Sequence, residues 1–199
     1  MVNAEVPLDA NKVVPLLPGM TIPEINVKDQ NGNEINISAN NLDKPFVLTF
    51  YRGGWCPYCN AQLASLRKAE KKLLDLGFDV YFISPDTPEN LVSTLKDEEL
   101  KKQIDYKLLS DPKMKVSVDF GIAFKVDDET VAKYKKWNID LERSSGETHH
   151  LLPAPSIYVV GTDGVIQFQY TNPNYKVRLD PDVLIAVAKS YLKHSKKKK

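Results

Sequence analysis

Hydrophobic and polar residues change their period along this chain, and the changes mark out strands and helices. Residues 46–51 and 78–84 are continuous apolar runs rich in β-branched and aromatic residues, which is typical of buried strands. Between them, over residues 60–75, apolar positions recur every three or four residues, and this spacing predicts an amphipathic helix that ends near Gly77. The chain therefore alternates strand and helix, as α/β proteins do.

The same patterns predict further elements on both sides of this unit. Asn31-Gly32 is expected to join two short strands, and Thr162-Asp163-Gly164 is expected to be the turn of a later hairpin. In the last helix Asp180 is the expected cap and Pro181 the first helical residue. The predicted strands are residues 24–27, 34–37, 106–109, 157–160 and 165–170, and the further helices are residues 88–96, 111–121 and the segment from 181 onward.

Residues 122–152 differ from their surroundings, because they are charged and only weakly periodic. We predict a helix over residues 129–137 and a loop at residues 144–146, and we interpret the whole segment as an insertion before the last hairpin. The predicted organisation is an extended, proline-rich arm at residues 1–23, one domain at residues 24–194, and a lysine-rich tail at residues 195–199.

Composition narrows the class of protein. A length of 199 residues favours a single domain, and a content of 42% hydrophobic and 27% charged residues is typical of a soluble globular protein. The formal net charge of +1 provides no global field that would attract nucleic acid, and no run of about twenty apolar residues is present to span a membrane. Neither a nucleic-acid partner nor a membrane span is therefore expected.

The candidate chemistry lies in the only two cysteines, Cys56 and Cys59. They follow a strand and the turn Gly53-Gly54, so Cys56 is expected at a helix N-terminus, where backbone N–H groups stabilise a thiolate. Cys59 is expected deeper on the same face, with the two Cα atoms within about 7 Å and Cys56 the more exposed. Cys56 is thus the predicted nucleophile and Cys59 its partner, with Trp55 shielding the pair.

A zinc site is the alternative interpretation of this Cys-x-x-Cys motif. A structural zinc ion normally needs four nitrogen or sulfur ligands, and the chain adds only three histidines. His149 and His150 are adjacent, so in an extended segment their side chains would point in opposite directions, and His194 is close to the C-terminus. We therefore predict a redox dithiol that uses neither a metal nor an organic cofactor.

Five motifs resemble those of the peroxiredoxin-like group of the AhpC/TSA family, within the thioredoxin superfamily, and the resemblance runs from about residue 18 to residue 188. In letters the motifs read YRGGWCPYCN, ISPD, LSD, LPAPS and NPNYK, at residues 51–60, 83–86, 109–111, 152–156 and 172–176. The resemblance implies an α/β thioredoxin-like fold, with a central mixed sheet flanked by helices. It implies that Cys56 is the catalytic cysteine, that Cys59 is its partner, and that Pro155 is a cis-proline facing the active site.

The sequence departs from the usual pattern of this family in front of the catalytic cysteine. Typical peroxiredoxins carry Pro-x-x-x-Thr/Ser-x-x-Cys, in which the hydroxyl helps to bind peroxide, but here the corresponding positions are Thr49 and Gly53. The sequence is also similar to thioredoxin and to thiol-disulfide reductases, because a strand is followed by Gly-Gly-Trp and then by Cys-x-x-Cys. Arg52 is the candidate cation for a peroxide pocket, and a surface arginine in a glycine turn is the other interpretation.

These observations predict an enzyme that reduces either a hydroperoxide or a disulfide, as an antioxidant or as a thiol-disulfide oxidoreductase. Cys56 and Cys59 would be catalytic, Arg52, Trp55 and Pro155 would bind the substrate, and a thioredoxin-like protein or a small thiol would be the reductant. A non-catalytic thioredoxin-fold module that binds peptides is the alternative. Because relatives that share the arm resemble exported bacterial proteins, we expect a periplasmic or otherwise extracytoplasmic location, with the cytoplasm as the alternative.

Overall fold

The sheet at the centre of the protein contains both parallel and antiparallel pairs. In the computed structural model, which describes residues 5–93 and 107–195, seven strands form it in the order β2-β1-β5-β4-β3-β8-β9. Strand β4 is parallel to β3 and to β5, and the other neighbours are antiparallel. The predicted fold, a mixed sheet flanked by helices, is confirmed.

The strands and helices agree with the periodic segments of the sequence. The strands are β1 (Ile25–Asp29), β2 (Glu34–Ile37), β3 (Phe46–Phe50), β4 (Asp79–Ser84), β5 (Lys107–Ser110), β6 (Ala123–Lys125), β7 (Leu151–Pro153), β8 (Ser156–Val160) and β9 (Ile166–Thr171). The helices are α1 (Pro57–Asp75), α2 (Pro88–Ser93), α3 (Lys115–Asp119), α4 (Asp128–Lys136), α5 (Leu141–Ser145) and α6 (Pro181–Ser195), and a short 3-10 helix spans Ala10–Lys12. The predicted helical residues 94–96 and strand residue 106 lie outside the described residues.

Both faces of the central strands are buried, which explains their continuous apolar sequences. Side chains of a strand alternate between the two faces, so Val47 packs against α1 and α6 while Leu48 packs into a second cluster on the opposite face. On the first face α1 contributes Leu63 and α6 contributes Leu184, both about 1% exposed. The last helix therefore packs an apolar face against the core.

The N-terminal arm lies along the second face. The Val14 and Leu16 N–H groups donate to the carbonyls of Gly121 and Phe120, at 3.0 and 3.1 Å. Farther along, Thr21 forms a bridge with Val165, and Ile22 is 5% exposed in the second cluster. The described part of the arm therefore covers part of the core.

The segment predicted to be an insertion contains more regular structure than its sequence suggested. Strands β6 and β7 pair with each other in a separate two-stranded sheet, and α4 and α5 lie between them in the chain. The loop predicted at residues 144–146 is wrong, since Ser145 ends α5 and Gly146 follows with φ of +72°. Asp140 caps this helix by accepting from the Arg143 N–H, so capping at both ends stabilises a helix too short to show a period.

Two glycines provide a matched test of how the arm is held. Gly77 and Gly121 each follow a helix with positive φ, but a Cβ on Gly77 would meet nothing within 4 Å, whereas one on Gly121 would overlap the Val14 carbonyl oxygen. We expect Gly77→Ala to lower the free energy of unfolding by about 1 kcal/mol through backbone strain alone. Gly121→Ala should cost a further ~1–3 kcal/mol, because the arm must move. Urea unfolding of both variants checks this, and equal losses would contradict the close packing of the arm.

Candidate active site

A short loop between β3 and α1 places Cys56 at the start of the helix. Gly53 has φ of +139°, and a Cβ there would overlap the Trp55 ring, so this turn requires glycine. The Cys56 N–H donates to the Gly53 carbonyl at 3.1 Å, and Cys56 is the N-cap of α1 with Pro57 as its first residue. The Cys56 sulfur therefore lies at the positive end of the helix dipole, where negative charge is stabilised.

The two cysteines are in hydrogen-bond contact, and both are free thiols. The Cys59 N–H donates to the Cys56 carbonyl at 3.0 Å, which makes a tight turn whose first and fourth Cα atoms lie less than about 7 Å apart. The hydrogen bond from the Cys59 thiol, together with Arg52 and Arg178, lowers the pKa of Cys56 to about 6 in spite of its burial. Burial raises the pKa of Cys59 well above its usual value, and so does its hydrogen bond to Cys56.

The expected difference in exposure between the two cysteines is almost absent in this conformation. Cys56 is 1% exposed and Cys59 is 0% exposed, so the accessible thiol that a helix N-terminus suggests is not found. The residues around them include the sequence neighbour Trp55, which packs against the cysteine cluster, and Arg178, which reaches Cys59 from the segment before α6. The sequence around the helix N-terminus does not reveal that Arg178, from a distant segment, contacts Cys59.

Arg52 is buried, so its interpretation as a surface arginine is wrong. Its side chain is 4% exposed, and its guanidinium carbon lies 4.2 Å from the ring centre of Tyr175, 5.3 Å from that of Trp55 and 5.5 Å from that of Tyr134. One of its terminal nitrogens also donates to the Tyr134 hydroxyl. Such aromatic contacts hold a cation without neutralising it, so the positive charge remains available to the adjacent Cys56 sulfur.

Arg178 is a site residue that the sequence reasoning missed. Its Nη2 donates to the Cys59 sulfur at 3.3 Å, while its Nε and Nη1 are shielded from solvent and have no hydrogen-bond partner. It belongs to residues 172–180, the segment between β9 and α6, which also supplies Tyr175 above Arg52. The only signal in the sequence was the motif NPNYK at residues 172–176, which ends just before it.

Asp86 is the second residue that was missed, although its motif had been noted. Its carboxylate is completely buried and accepts from the Gly54 N–H at 2.9 Å, from the Ser84 hydroxyl at 3.0 Å and from the Ser144 hydroxyl. Burial raises the pKa of Asp86 to about 6, and these three hydrogen bonds oppose the rise. Asp86 thereby joins the loop before Cys56 to β4 and to α5.

The prediction of a cis bond before Pro155 is also wrong, because the peptide bonds of residues 5–93 and 107–195 are all trans. Pro155 lies directly before β8, two residues after the end of β7, and an extended trans link fits between two strands. Next to it, Ser156 lies opposite Phe50 in the sheet, so Pro155 is at the same end of the sheet as the loop that carries the cysteines. The structure thus places it near the site without the predicted turn.

The histidines have separate partners. The His149 ring is hydrogen-bonded to the Pro112 carbonyl at 2.7 Å, and the His150 ring to Glu142 at 2.8 Å. Within the described ranges no group of three or more His, Cys, Asp or Glu side chains is arranged to hold a metal ion.

In those same ranges no helix is both long and apolar enough to cross a membrane.

Comparison with known proteins decides the family. A sequence profile described as the AhpC/TSA family matches residues 18–169, which is most of the chain. The chain belongs to the AhpC/TSA family. Among its relatives, the chloroplastic peroxiredoxin Q of Sedum lineare is 27% identical over 167 residues, covering 83% of this chain and 75% of the relative. The peroxiredoxin Bcp of Escherichia coli is 33% identical over 108 residues, covering 54% of this chain and 66% of the relative.

Solved structures agree on the fold. The peroxidoxin BcpB of Mycobacterium tuberculosis has a TM-score of 0.63 and 22% identity, with coverage of 87% of this chain and 96% of that one. The reduced 2-Cys peroxiredoxin of Plasmodium vivax has a TM-score of 0.69 and 17% identity, with coverage of 92% of this chain and 85% of that one. Together with the family match, they confirm the predicted peroxiredoxin-like class of enzyme with a thioredoxin-like fold.

The hydrogen bond between the cysteines can be tested by titration. Because the Cys59 thiol donates to the charged form of Cys56, Cys59→Ala should raise the pKa of Cys56 from about 6 towards the usual value of a thiol. Cys59→Ser retains a hydroxyl donor and should raise it less. Thiolate absorbance measured against pH, with Cys56→Ser as the blank, gives both values. Equal shifts in the two variants would mean that hydrogen bonding is not the cause.

Proposed function

We propose that the protein is a thiol peroxidase in which Cys56 reduces a small hydroperoxide and Cys59 resolves the product. The observation that carries this proposal is the combination at Cys56 of a lowered pKa, of about 6, with an exposed fraction of only 1%. A thiolate of this kind is reactive at neutral pH, but only a small molecule can reach it without a large rearrangement.

The first step uses the charges around Cys56. The thiolate attacks the terminal oxygen of the hydroperoxide, an S–O bond forms as the O–O bond breaks, and the leaving alkoxide takes a proton from solvent. Two electrons pass from sulfur to oxygen, which leaves a sulfenic acid on Cys56. The buried guanidinium of Arg52 stabilises the leaving oxygen, and this role replaces the hydroxyl that Gly53 cannot supply. Trp55 and Pro155 form part of the surrounding pocket.

The second step uses the short distance between the cysteines. The Cys59 thiolate attacks the sulfenic sulfur, an S–S bond forms, and hydroxide leaves and is protonated to water. An external reductant, either the dithiol of a thioredoxin-like protein or two equivalents of a small thiol, then reduces the disulfide by exchange and is itself oxidised to a disulfide. This reductant is part of the proposal, as is the periplasmic or otherwise extracytoplasmic location, with the cytoplasm as its alternative.

Burial favours a peroxide over a protein disulfide as the oxidised substrate. In thiol-disulfide exchange the attacking thiolate must contact one sulfur of the substrate, so a folded protein would have to displace the residues that cover Cys56. A peptide-binding module without catalysis is less consistent with the site, because such a module does not need an arginine buried against a thiol whose pKa is lowered.

Single-turnover kinetics with two substrates test the proposed function. We expect the reduced protein to consume hydrogen peroxide at least about a hundredfold faster than it reduces an oxidised folded protein, because only the peroxide reaches Cys56 directly. The readouts are peroxide loss and loss of free thiols. Faster reaction with the protein disulfide would contradict the peroxidase proposal and support a thiol-disulfide reductase.

Cysteine variants test the two roles. Cys56→Ser should abolish peroxide consumption, because no other thiolate is available. Cys59→Ser should still react once and stop at a sulfenic acid, which dimedone labels and excess peroxide oxidises further to the sulfinic acid. Mass spectrometry distinguishes these products. A sulfenic acid found on Cys59 in the Cys56→Ser variant would reverse the roles, and full turnover by either variant would exclude the dithiol cycle.

A further inference from the structure

Cys59 has to change its properties during the proposed cycle. It is fully buried, its pKa is raised by burial and by its hydrogen bond to Cys56, and the Cys56 thiolate repels a second negative charge. Yet it must attack as a thiolate, since a neutral thiol is a poor nucleophile. Some neighbouring group therefore has to stabilise negative charge on Cys59 when Cys59 attacks the oxidised Cys56.

Arg178 is placed to do this. Its Nη2 lies 3.3 Å from the Cys59 sulfur, and the guanidinium keeps its charge at all ordinary pH values. In the described part of the chain no carboxylate forms an ion pair with Arg178, and its Nε and Nη1 atoms are shielded and unpartnered. A half-buried cation that no acid of the described residues neutralises is stabilised by a nearby anion, and the Cys59 sulfur, 3.3 Å away, can become one.

We propose that Arg178 is a catalytic residue that holds Cys59 as the attacking thiolate in the step that forms the Cys56–Cys59 disulfide. This inference rests on the proposed function, in which Cys59 resolves oxidised Cys56. Cys56, Arg178 and the backbone N–H of Arg52 are the groups that act on the Cys59 sulfur.

The order of the two steps follows from these contacts. While Cys56 is a thiolate, Cys59 stays protonated, and its S–H group donates a hydrogen bond to the Cys56 sulfur. This hydrogen bond stabilises the Cys56 thiolate, so Cys56 attacks first. Once Cys56 is a neutral sulfenic acid, its charge no longer repels a thiolate on Cys59, and the Cys59 proton is no longer held by a hydrogen bond to an anion. Arg178 is still 3.3 Å from the Cys59 sulfur and favours its thiolate form. The proton of Cys59 then passes to solvent, the new S–S bond forms as the S–O bond of the sulfenic acid breaks, and the released hydroxide takes up a proton to become water.

A small disulfide probe measures the second step without any peroxide. Dithiodipyridine reacts with the Cys56 thiolate to give a mixed disulfide and one thiopyridone, and attack by Cys59 then releases a second thiopyridone. The two releases are separate phases in stopped-flow absorbance. Arg178→Gln is the test variant, and Arg143→Gln is the control, because the Arg143 side chain is exposed and is not among the groups that act on the Cys56 or Cys59 sulfur.

We expect Arg178→Gln to slow the second phase at neutral pH by about tenfold or more, since each unit added to the pKa of Cys59 lowers its thiolate fraction about tenfold. The first phase should change by less than about threefold, because Arg178 is the smallest of the contributions that lower the pKa of Cys56. Raising the pH should restore the second phase of Arg178→Gln, and Arg143→Gln should match the wild type.

An unchanged second phase in Arg178→Gln, equal slowing of both phases, or slowing that high pH does not reverse would each overturn the inference. So would a wild-type protein that releases no second thiopyridone. The same proteins are then mixed with hydrogen peroxide. If the wild type does not consume peroxide but Arg178→Gln still slows release of the second thiopyridone, the peroxidase proposal fails and the role of Arg178 stands. If peroxide is consumed normally and the second release is unaffected, only the role of Arg178 fails.

Discussion

The site depends on keeping one negative charge stable where water is excluded. A thiolate with 1% exposure lacks solvent hydrogen bonds, so the protein must replace them. It does so with the helix N-terminus that Cys56 caps, with the thiol and backbone of Cys59, and with two arginines. These groups come from three parts of the architecture, α1, the loop before it and the segment before α6, which is why these three converge here.

Arg52 carries a positive charge that is likewise excluded from water, so the protein must stabilise this charge as well. Its guanidinium is enclosed by three aromatic rings and is not paired with an acid in the described ranges of the chain. Pairing with a carboxylate would have cancelled its effect on the neighbouring sulfur, whereas ring faces hold the cation through weak attraction and leave its field largely intact. The aromatic residues thus determine the electrostatics of the site although they carry no charge.

Local sequence patterns predicted most of the fold, because β3, β4, α1 and α6 are long or strongly periodic and each has clear end signals. The same patterns predicted Cys56 at a helix start. They failed where distant segments decide the outcome: Tyr134 and Tyr175 pack against Arg52, and Arg178 lies 3.3 Å from the Cys59 sulfur. The helix α5 was missed because five residues are too few to show a period, and the trans bond at Pro155 is set by the strands on either side of it.

The hydrogen bond between Ser144 and Asp86 means that the structure of the loop before Cys56 depends on residues outside this loop. Gly54 is held by Asp86, and Asp86 in turn depends on a hydroxyl from α5, while Arg52 depends on Tyr134 of α4. Transplanting only the ten residues YRGGWCPYCN into a relative that lacks Asp86 and these two helices would leave the Gly54 N–H without its acceptor and the buried Arg52 guanidinium without Tyr134. The loop before Cys56 therefore depends structurally on α4 and α5, and a change in either restricts which changes the other can accept.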